Sequence, residues 1–212
     1  MSHSLGEIET LAIRAARGAG MAWGLAEDAG RAVAWLCAHA LPGAERLAAL
    51  LLGQSDRDRT AAFPEPCADA WQARSGALCP IATGAALSDR AAEISKKTAL
   101  RLLRCDEPVL LLPSLASVAQ RTGVPIRCDT VTFAAVCSSK GLYVAQSPPD
   151  APNVEPLDVT LTPGAPLQGV RVHSGNRATP SESALKTLTE LSCRLYAPET
   201  QDRRRSGAGE DT

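Results

Sequence analysis

Residues 124–146 read VPIRCDTVTFAAVCSSKGLYVAQ, and this stretch decides the fold class of the chain. It is rich in Val, Ile, Thr and Phe, the residue types that favour a pleated and half-buried strand. Ser138-Ser139-Lys140-Gly141 separates two apolar runs and is typical of a hairpin turn. The stretch therefore predicts two strands joined by a tight turn.

The segments after this hairpin predict further strands and a final helix. DVTLT (158–162) and VRV (170–172) are strand-like and follow the proline-rich loop 147–156. TPSE (179–182) has the pattern of a capping box with proline in the first helical position, which predicts where the last helix begins. Its apolar stripe consists of Leu185, Leu188, Leu191 and Leu195.

The segments before the hairpin predict two helices and one strand. GALCPIATGAALSDRAAEISKK (76–97) predicts a turn and then a helix from about Thr83. TALRLLRC (98–105) alternates apolar and polar residues, which indicates a strand. The following residues predict a helix over 109–122, in which Pro113 either introduces a kink or marks the first turn.

Residues 1–53 predict three helices joined by short turns. Ser4 and Glu7 form a capping box at the start of the first helix. The second helix is expected from about Leu25 to Leu41, and Gly53 closes the third. The sequence thus predicts an α+β fold, with an N-terminal helical unit followed by a small mixed or antiparallel sheet that has helices packed on one face.

The predicted organisation has an internal boundary at QSDRDRTAAFPEPCA (54–68), where charges alternate and two prolines interrupt any regular pattern. We therefore expect a helical unit at 1–53, a linker at 54–75, an α+β body at 76–197 and a tail at 198–212. One continuous domain is the alternative.

Composition excludes several classes of partner. The net charge is −1 and the pI is near 6.3, whereas a nucleic-acid-binding domain normally has a strongly basic face. The apolar runs LAALLL (47–52) and PVLLLP (108–113) are far shorter than the roughly 18 residues expected of a membrane span. The first ten residues lack the pattern of a secretory signal, and the seven cysteines form no CxxC. We therefore expect reduced thiols and a cytoplasmic location.

No motif for a cofactor or a metal appears in the chain. GxGxxG after a strand, the Walker loop, HExxH and GxSxG are all missing. Cys37 and His39 are two residues apart on a predicted helix and would point to different faces, so they do not form a chelating pair. The sequence predicts neither a cofactor nor a metal ion.

The segment SGALCPIATGAALSDR (75–90) is the first candidate site. Cys79 precedes a proline and would lie on a turn before a helix, whose N-terminal amides bind anions and lower a thiol pKa. Asp89 is a candidate acid or base, and Arg90 is a candidate ligand-binding residue. In the alternative interpretation Cys79 and Ile81 fill the core, while Asp89 and Arg90 face solvent.

HSGNRATPSE (173–182) is the second candidate site. His173 has an unperturbed pKa near neutrality and suits proton transfer. Asn176 and Arg177 lie in a polar loop that leads into a helix, an arrangement suited to binding a carboxylate or phosphate. The alternative is that any loop between a strand and a helix is polar.

The charged tail is the third candidate site. Arg203 is expected to pair with an anionic ligand because the guanidinium fork matches carboxylate and phosphate, and Glu199 lies just before it. The alternative is a solvated run of charges in a disordered terminus.

Three blocks of the sequence resemble a known family: residues 4–36, residues 75–91 and YAPETQDRRRSGAGEDT (196–212). The family consists of small proteobacterial proteins and is described only as a domain of unknown function. Its characteristic tail is matched here at Tyr196, Pro198, Glu199, Arg203, Gly207, Ala208, Gly209 and Asp211. The resemblance implies no reaction, but it implies that the tail belongs to the protein's own pattern.

Two hypotheses for the function follow. In the first, the chain is a cytoplasmic enzyme or binding protein of small-molecule metabolism, and the three candidate sites converge on one pocket for an anionic metabolite. In the second, it is a non-catalytic accessory subunit or interaction module, which binds a protein partner or a second copy of itself.

Overall fold

The computed structural model describes residues 2–53, 59–67 and 69–195 of the chain. Within these ranges an N-terminal group of helices is followed by a mixed sheet with further helices. The α+β fold class predicted from the sequence is therefore confirmed. None of the helices in these ranges is both long enough and apolar enough to cross a membrane.

Three α-helices form the N-terminal part of the fold, as the sequence predicts. The predicted capping box is confirmed: the Glu7 amide donates to the Ser4 hydroxyl at 3.2 Å, and the Ser4 amide donates to the Glu7 carboxylate at 2.7 Å. The second helix ends before the predicted Leu41, because Ala40 adopts a left-handed φ of 53° that turns the chain. The helices are α1 (Leu5–Gly18), α2 (Trp23–Ala38) and α3 (Gly43–Gly53).

The main sheet has eight strands in the described ranges, in the order β2-β3-β4-β8-β5-β6-β7-β9. Strands β3 and β4 are parallel, and every other neighbouring pair is antiparallel. The predicted hairpin is confirmed as β6 and β7, with Ser138 paired to Gly141. The strands are β2 (Pro64–Pro66), β3 (Ala70–Ala73), β4 (Leu100–Cys105), β5 (Ile126–Asp129), β6 (Ala134–Ser138), β7 (Gly141–Gln146), β8 (Leu157–Pro163) and β9 (Val170–Val172).

Two further strands, β1 (His3–Ser4) and β10 (Arg177–Ala178), pair with each other in a separate small sheet. This pairing joins the N-terminal residues to the segment before the last helix. Strands β2 and β3 lie inside the predicted linker 54–75, where the two prolines had indicated a loop. Proline is tolerated in β2 because this strand forms an edge of the main sheet.

The helices of the second part begin at positions that differ slightly from the prediction. Helix α4 begins at Pro80 rather than near Thr83, because proline suits the first turn, where no amide donor is needed. The last helix is capped by Ser181 and not by the predicted Thr179, since the Ser181 hydroxyl accepts from the Ala184 amide at 3.3 Å. The helices are α4 (Pro80–Asp89), α5 (Ala91–Ile94), α6 (Leu112–Thr122), which follows a 3-10 turn at Pro108–Leu111, and α7 (Glu182–Cys193).

One face of the sheet carries the helices. Helices α4 and α6 contact each other, and α6 also contacts β5 and β6. Polar pairs also occur on the sheet: Arg101 on β4 lies 3.4 Å from Asp158 on β8, and Arg127 lies 2.8 Å from Asp129 on β5. The buried apolar residues form one core that runs from Ile8 in α1 to Leu191 in α7, and thus joins the N-terminal helices to the sheet.

The crossing of α1 and α7 depends on a glycine. A Cβ atom at Gly18 would overlap the backbone carbonyl oxygen of Leu191. Because a backbone atom cannot move aside as a flexible side chain can, only a residue without a side chain allows this approach.

We predict that Gly18→Ala lowers the free energy of unfolding by about 1–3 kcal/mol, the usual effect of overpacking a tight contact. Gly24→Ala is the matched control, because a Cβ atom at Gly24 meets nothing within 4 Å. Urea unfolding of the two variants measures the difference. Equal free energies of unfolding for the two alanine variants would contradict the prediction, because α1 and α7 would then accommodate the extra methyl group without loss of stability.

Candidate functional site

A buried ion pair links α3 to the end of β4. The Arg46 side chain is 0% exposed, and its Nη1 donates to Glu107 Oε2 at 2.9 Å. Its Nη2 donates to the carbonyl oxygen of Pro149. The Glu107 side chain is 5% exposed, so neither charge is solvated by bulk water. An ion pair in such a place requires several hydrogen bonds to offset the lost hydration.

Further hydrogen bonds to Glu107 come from the loop after β7. The Asn153 amide donates to Glu107 Oε1 at 2.8 Å, and the Asn153 side chain lies 3.5 Å from Oε2. Burial raises the pKa of Glu107, while the Arg46 guanidinium opposes that shift. The pair therefore binds the loop at two points, at Pro149 through Arg46 and at Asn153 through Glu107. We call residues 149–156 the bridging loop.

The backbone is strained where β4 ends. Arg104 has a φ of 54° and Glu107 a φ of 41°, both in the left-handed region that non-glycine residues rarely adopt. The register between β4 and β8 also shifts between Leu102 and Cys105. Each such conformation costs on the order of 1–3 kcal/mol and persists only where the surroundings enforce it. Strain of this kind is concentrated at functional sites, so the end of β4 is a candidate functional site.

A cleft of about 220 Å³ opens beside these strained residues, and we call it the β4 cleft. It lies where β4, which pairs in parallel with β3, ends. Its lining comes from α3, the segment before α4, the end of β4 with the residues after it, and the bridging loop: Ala49, Leu50, Gly53, Ala77, Arg104, Asp106, Glu107, Asn153, Val154, Glu155 and Pro156.

A larger cleft of about 540 Å³ lies beside the same loop, and we call it the α7 cleft. Glu45 accepts a hydrogen bond from the Ser181 amide at 2.7 Å, so its carboxylate occupies the N-terminus of α7. The α2–α3 turn, the bridging loop and the start of α7 form its walls: Cys37, Ala40, Leu41, Pro42, Glu45, Asp150, Ala151, Pro152, Thr179, Pro180, Ser181 and Ser183.

The first candidate segment lies partly in the core. Cys79 is the residue before α4 and is 4% exposed. It lines a small cavity of about 140 Å³ together with Phe63 and Met21. Asp89 and Arg90, at the other end of α4, are both exposed. The Arg90 guanidinium lies 5.9 Å from the centre of the Trp71 ring.

The second candidate segment is largely exposed, and one of its candidate residues, Arg177, forms hydrogen bonds within the protein. His173 and Asn176 face solvent. The Arg177 guanidinium donates to the hydroxyl and the carbonyl of Ser2, at 2.9 and 2.7 Å, and so fastens the N-terminal residues. The predicted anion position at the N-terminus of α7 holds the protein's own carboxylate, Glu45.

The second candidate segment reaches the α7 cleft through residues 179–181, but none of the described residues predicted individually as site residues lines either cleft. Neither Asp89 nor His173 lines the β4 cleft or the α7 cleft. Glu199 and Arg203 lie outside the described residues. Among the residues that the structure describes, no group of three His, Cys, Asp or Glu side chains is arranged to hold a metal ion.

The sequence does not identify Glu45, Arg46 or Glu107 as residues that line or support the two clefts. Glu45 and Arg46 look like ordinary surface charges in the helix 43–53. A signal did exist at Asp106-Glu107, because acidic residues directly after a buried strand often lie at a binding edge of the sheet. The partner of Glu107 is 61 residues away, and no local pattern points to it.

Residues 3–89 match a family model described as "Protein of unknown function (DUF3726)". The matched residues include α1–α3 and extend to the end of α4, and they make up less than half of the chain. No curated protein matches the chain.

Among solved structures, the chain is similar to malate dehydrogenase from Entamoeba histolytica, with a TM-score of 0.45 and 12% identity. The likeness covers 78% of this chain and 49% of that protein, so this chain spans about half of its length. A likeness of this degree carries no argument about function.

We predict that Arg46→Met or Glu107→Met alone lowers the free energy of unfolding by about 3–5 kcal/mol, because each leaves one buried charge without its partner. The double variant recovers a large part of this loss, since both buried charges are then gone. A double-mutant cycle by denaturant unfolding measures the coupling.

The control is the exposed pair Arg74–Glu65, whose side chains are 74% and 49% exposed. Methionine at these two positions should change stability by less than about 1 kcal/mol. A coupling at Arg46–Glu107 no larger than at this surface pair would contradict the role assigned to the buried pair.

Proposed function

We propose that the protein binds a small metabolite with an anionic group in the β4 cleft, and that Arg104 contacts that group. The proposal rests on a difference between Arg101 and Arg104: the first guanidinium has a carboxylate partner and the second has none among the described residues. Arg101, on the same strand, lies 3.4 Å from the Asp158 carboxylate. Within the described ranges, no carboxylate forms an ion pair with the Arg104 guanidinium, and Arg104 is an exposed residue that lines the cleft.

The position of Arg104 is fixed by its backbone. The Arg104 amide donates to Asp158 Oδ1 at 2.9 Å, and its φ of 54° turns the chain out of the regular β4 ladder. These two features fix the point at which the Arg104 side chain leaves the backbone. Strained backbone of this kind occurs preferentially at functional sites, which supports the proposal.

Acidic side chains around the cleft narrow the class of ligand. Three acidic residues line it together with Arg104: Asp106, Glu155 and Glu107, of which Glu107 is paired with Arg46. The cleft therefore contains charges of both signs, and Asp106 and Glu155 would repel an anion without donor groups. A hydroxy acid or an amino acid presents a carboxylate to the guanidinium and a hydroxyl or ammonium donor to the acids.

The size of the cleft agrees with a ligand of this kind. A volume of about 220 Å³ corresponds to roughly seven waters at about 30 Å³ each. The lining also includes apolar groups such as Leu50 and Val154, which would contact the carbon skeleton of the ligand.

A cytoplasmic setting in small-molecule metabolism is part of the same proposal. No disulfide joins two of the described cysteines, which is the usual state in a reducing compartment. The proposal is one of binding and assigns no reaction.

We predict that at least one member of a panel of small hydroxy acids and amino acids raises the melting temperature, at constant ionic strength and in a saturable manner. A ligand at about 100 times its Kd stabilises by about 2.7 kcal/mol, which corresponds to a shift of about 5–11 °C for a chain of this length. Arg104→Gln should weaken the same ligand at least about tenfold, because a hydrogen-bonded charge is removed.

Arg101→Gln is the matched control, since it removes the same charge from the same strand and should leave the affinity unchanged. If no member of the panel binds, or if both glutamine variants bind equally well, the proposal fails. Co-purification of a larger enzyme would then favour the alternative of an accessory subunit.

A further inference from the structure

We propose that the α7 cleft is a second binding site, and that it takes a small organic cation, a primary amine on a short apolar body. The site lies on α7, the α2–α3 turn and residues 150–152, whereas the β4 cleft lies at the end of the sheet. Its volume of about 540 Å³ falls within the range of small-molecule sites.

The polar groups of this cleft are acceptors for a cation. Glu45 Oε1 accepts from the Ser181 amide, and no donor among the described residues bonds its second oxygen, Oε2. Asp150 contributes a second carboxylate from the bridging loop, and Thr179 and Ser183 contribute hydroxyls. Among the residues that the structure describes, neither lysine nor arginine lines the cleft, so the two acidic residues make it a site for positive charge.

The remaining lining suits an apolar body. Leu41, Pro42, Pro152 and Pro180 surround the polar groups. Proline and leucine side chains offer carbon surface without competing donors, so they would cover the alkyl part of the ligand. The cleft therefore has a polar part for an ammonium group and an apolar part for a short chain.

An organic cation fits this cleft better than a metal ion or an anion. The described residues contain no group of three His, Cys, Asp or Glu side chains that would hold a metal. An ammonium group needs only acceptors for its three donors. An anion would meet Glu45 at the N-terminus of α7, where the protein's own carboxylate already bonds the Ser181 amide.

The test uses isothermal titration calorimetry of the full chain with butylamine and 1,4-diaminobutane at constant ionic strength. n-Butanol and butyrate serve as neutral and anionic probes of the same length. We expect saturable binding of the amines and no binding of the other two. Equal heats for butylamine and n-butanol, or no saturable heat with either amine, would overturn the proposal.

Two variants locate the binding. Glu45→Gln keeps an oxygen acceptor for the Ser181 amide, and Asp150→Asn changes an exposed residue of the loop. Each should weaken amine binding at least about tenfold. Asp28→Asn is the control, because it removes one exposed charge on α2 outside the cleft. A similar loss in all three variants would indicate only a general effect of net charge and would contradict the site.

Cysteine alkylation at a saturating amine concentration reports where the amine binds. Cys37 is half-buried and lines the α7 cleft, whereas Cys193 is exposed at the end of α7. A bound amine should slow the alkylation of Cys37, measured by mass spectrometry, and leave that of Cys193 unchanged. Equal rates at Cys37 with and without saturating diaminobutane would place the amine elsewhere. Because this site does not involve Arg104, Arg104→Gln should bind the amine normally, whether or not the β4 cleft binds a metabolite.

Discussion

The structure around both clefts depends on the buried ion pair between Arg46 and Glu107. Two charges removed from water are stable only if hydrogen bonds replace the lost hydration. Here the bridging loop supplies them, through the Pro149 carbonyl oxygen and the Asn153 amide. The requirement to satisfy the ion pair thus fixes a loop that would otherwise be held by few contacts, and this loop contributes lining to both clefts.

The start of α3 positions groups for both clefts. Arg46 is directed to Glu107 and the bridging loop, and the preceding residue, Glu45, is directed to the N-terminus of α7. Adjacent residues on a helix point about 100° apart, so one turn of α3 reaches two different neighbours. The close approach of α1 and α7 at Gly18 holds the other end of α7. The geometry of the α7 cleft is therefore set from both ends of that helix.

Features that depend on neighbouring residues could be predicted from the sequence, and features that depend on distant pairs could not. The hairpin at Ser138–Gly141 and the capping box at Ser4 are local patterns, and both are confirmed. The pattern TPSE has two hydroxyl residues that could cap α7, Thr179 and Ser181. The predicted cap, Thr179, is two residues from the observed one, Ser181, whose amide donates to the distant residue Glu45. The prolines of β2 indicate a loop, which conceals this edge strand and its neighbour β3, and the ion pair joins residues 61 positions apart.

Amide hydrogen exchange of the bridging loop tests most directly whether the ion pair holds it. Arg46→Met should increase exchange at residues 149–156, including the Asn153 amide, at least about tenfold relative to peptides from β6 and β7 of the same variant. The relative measure separates local opening from a general loss of stability, and Arg74→Met should show no such increase. Unchanged relative exchange of the loop in Arg46→Met would contradict the account.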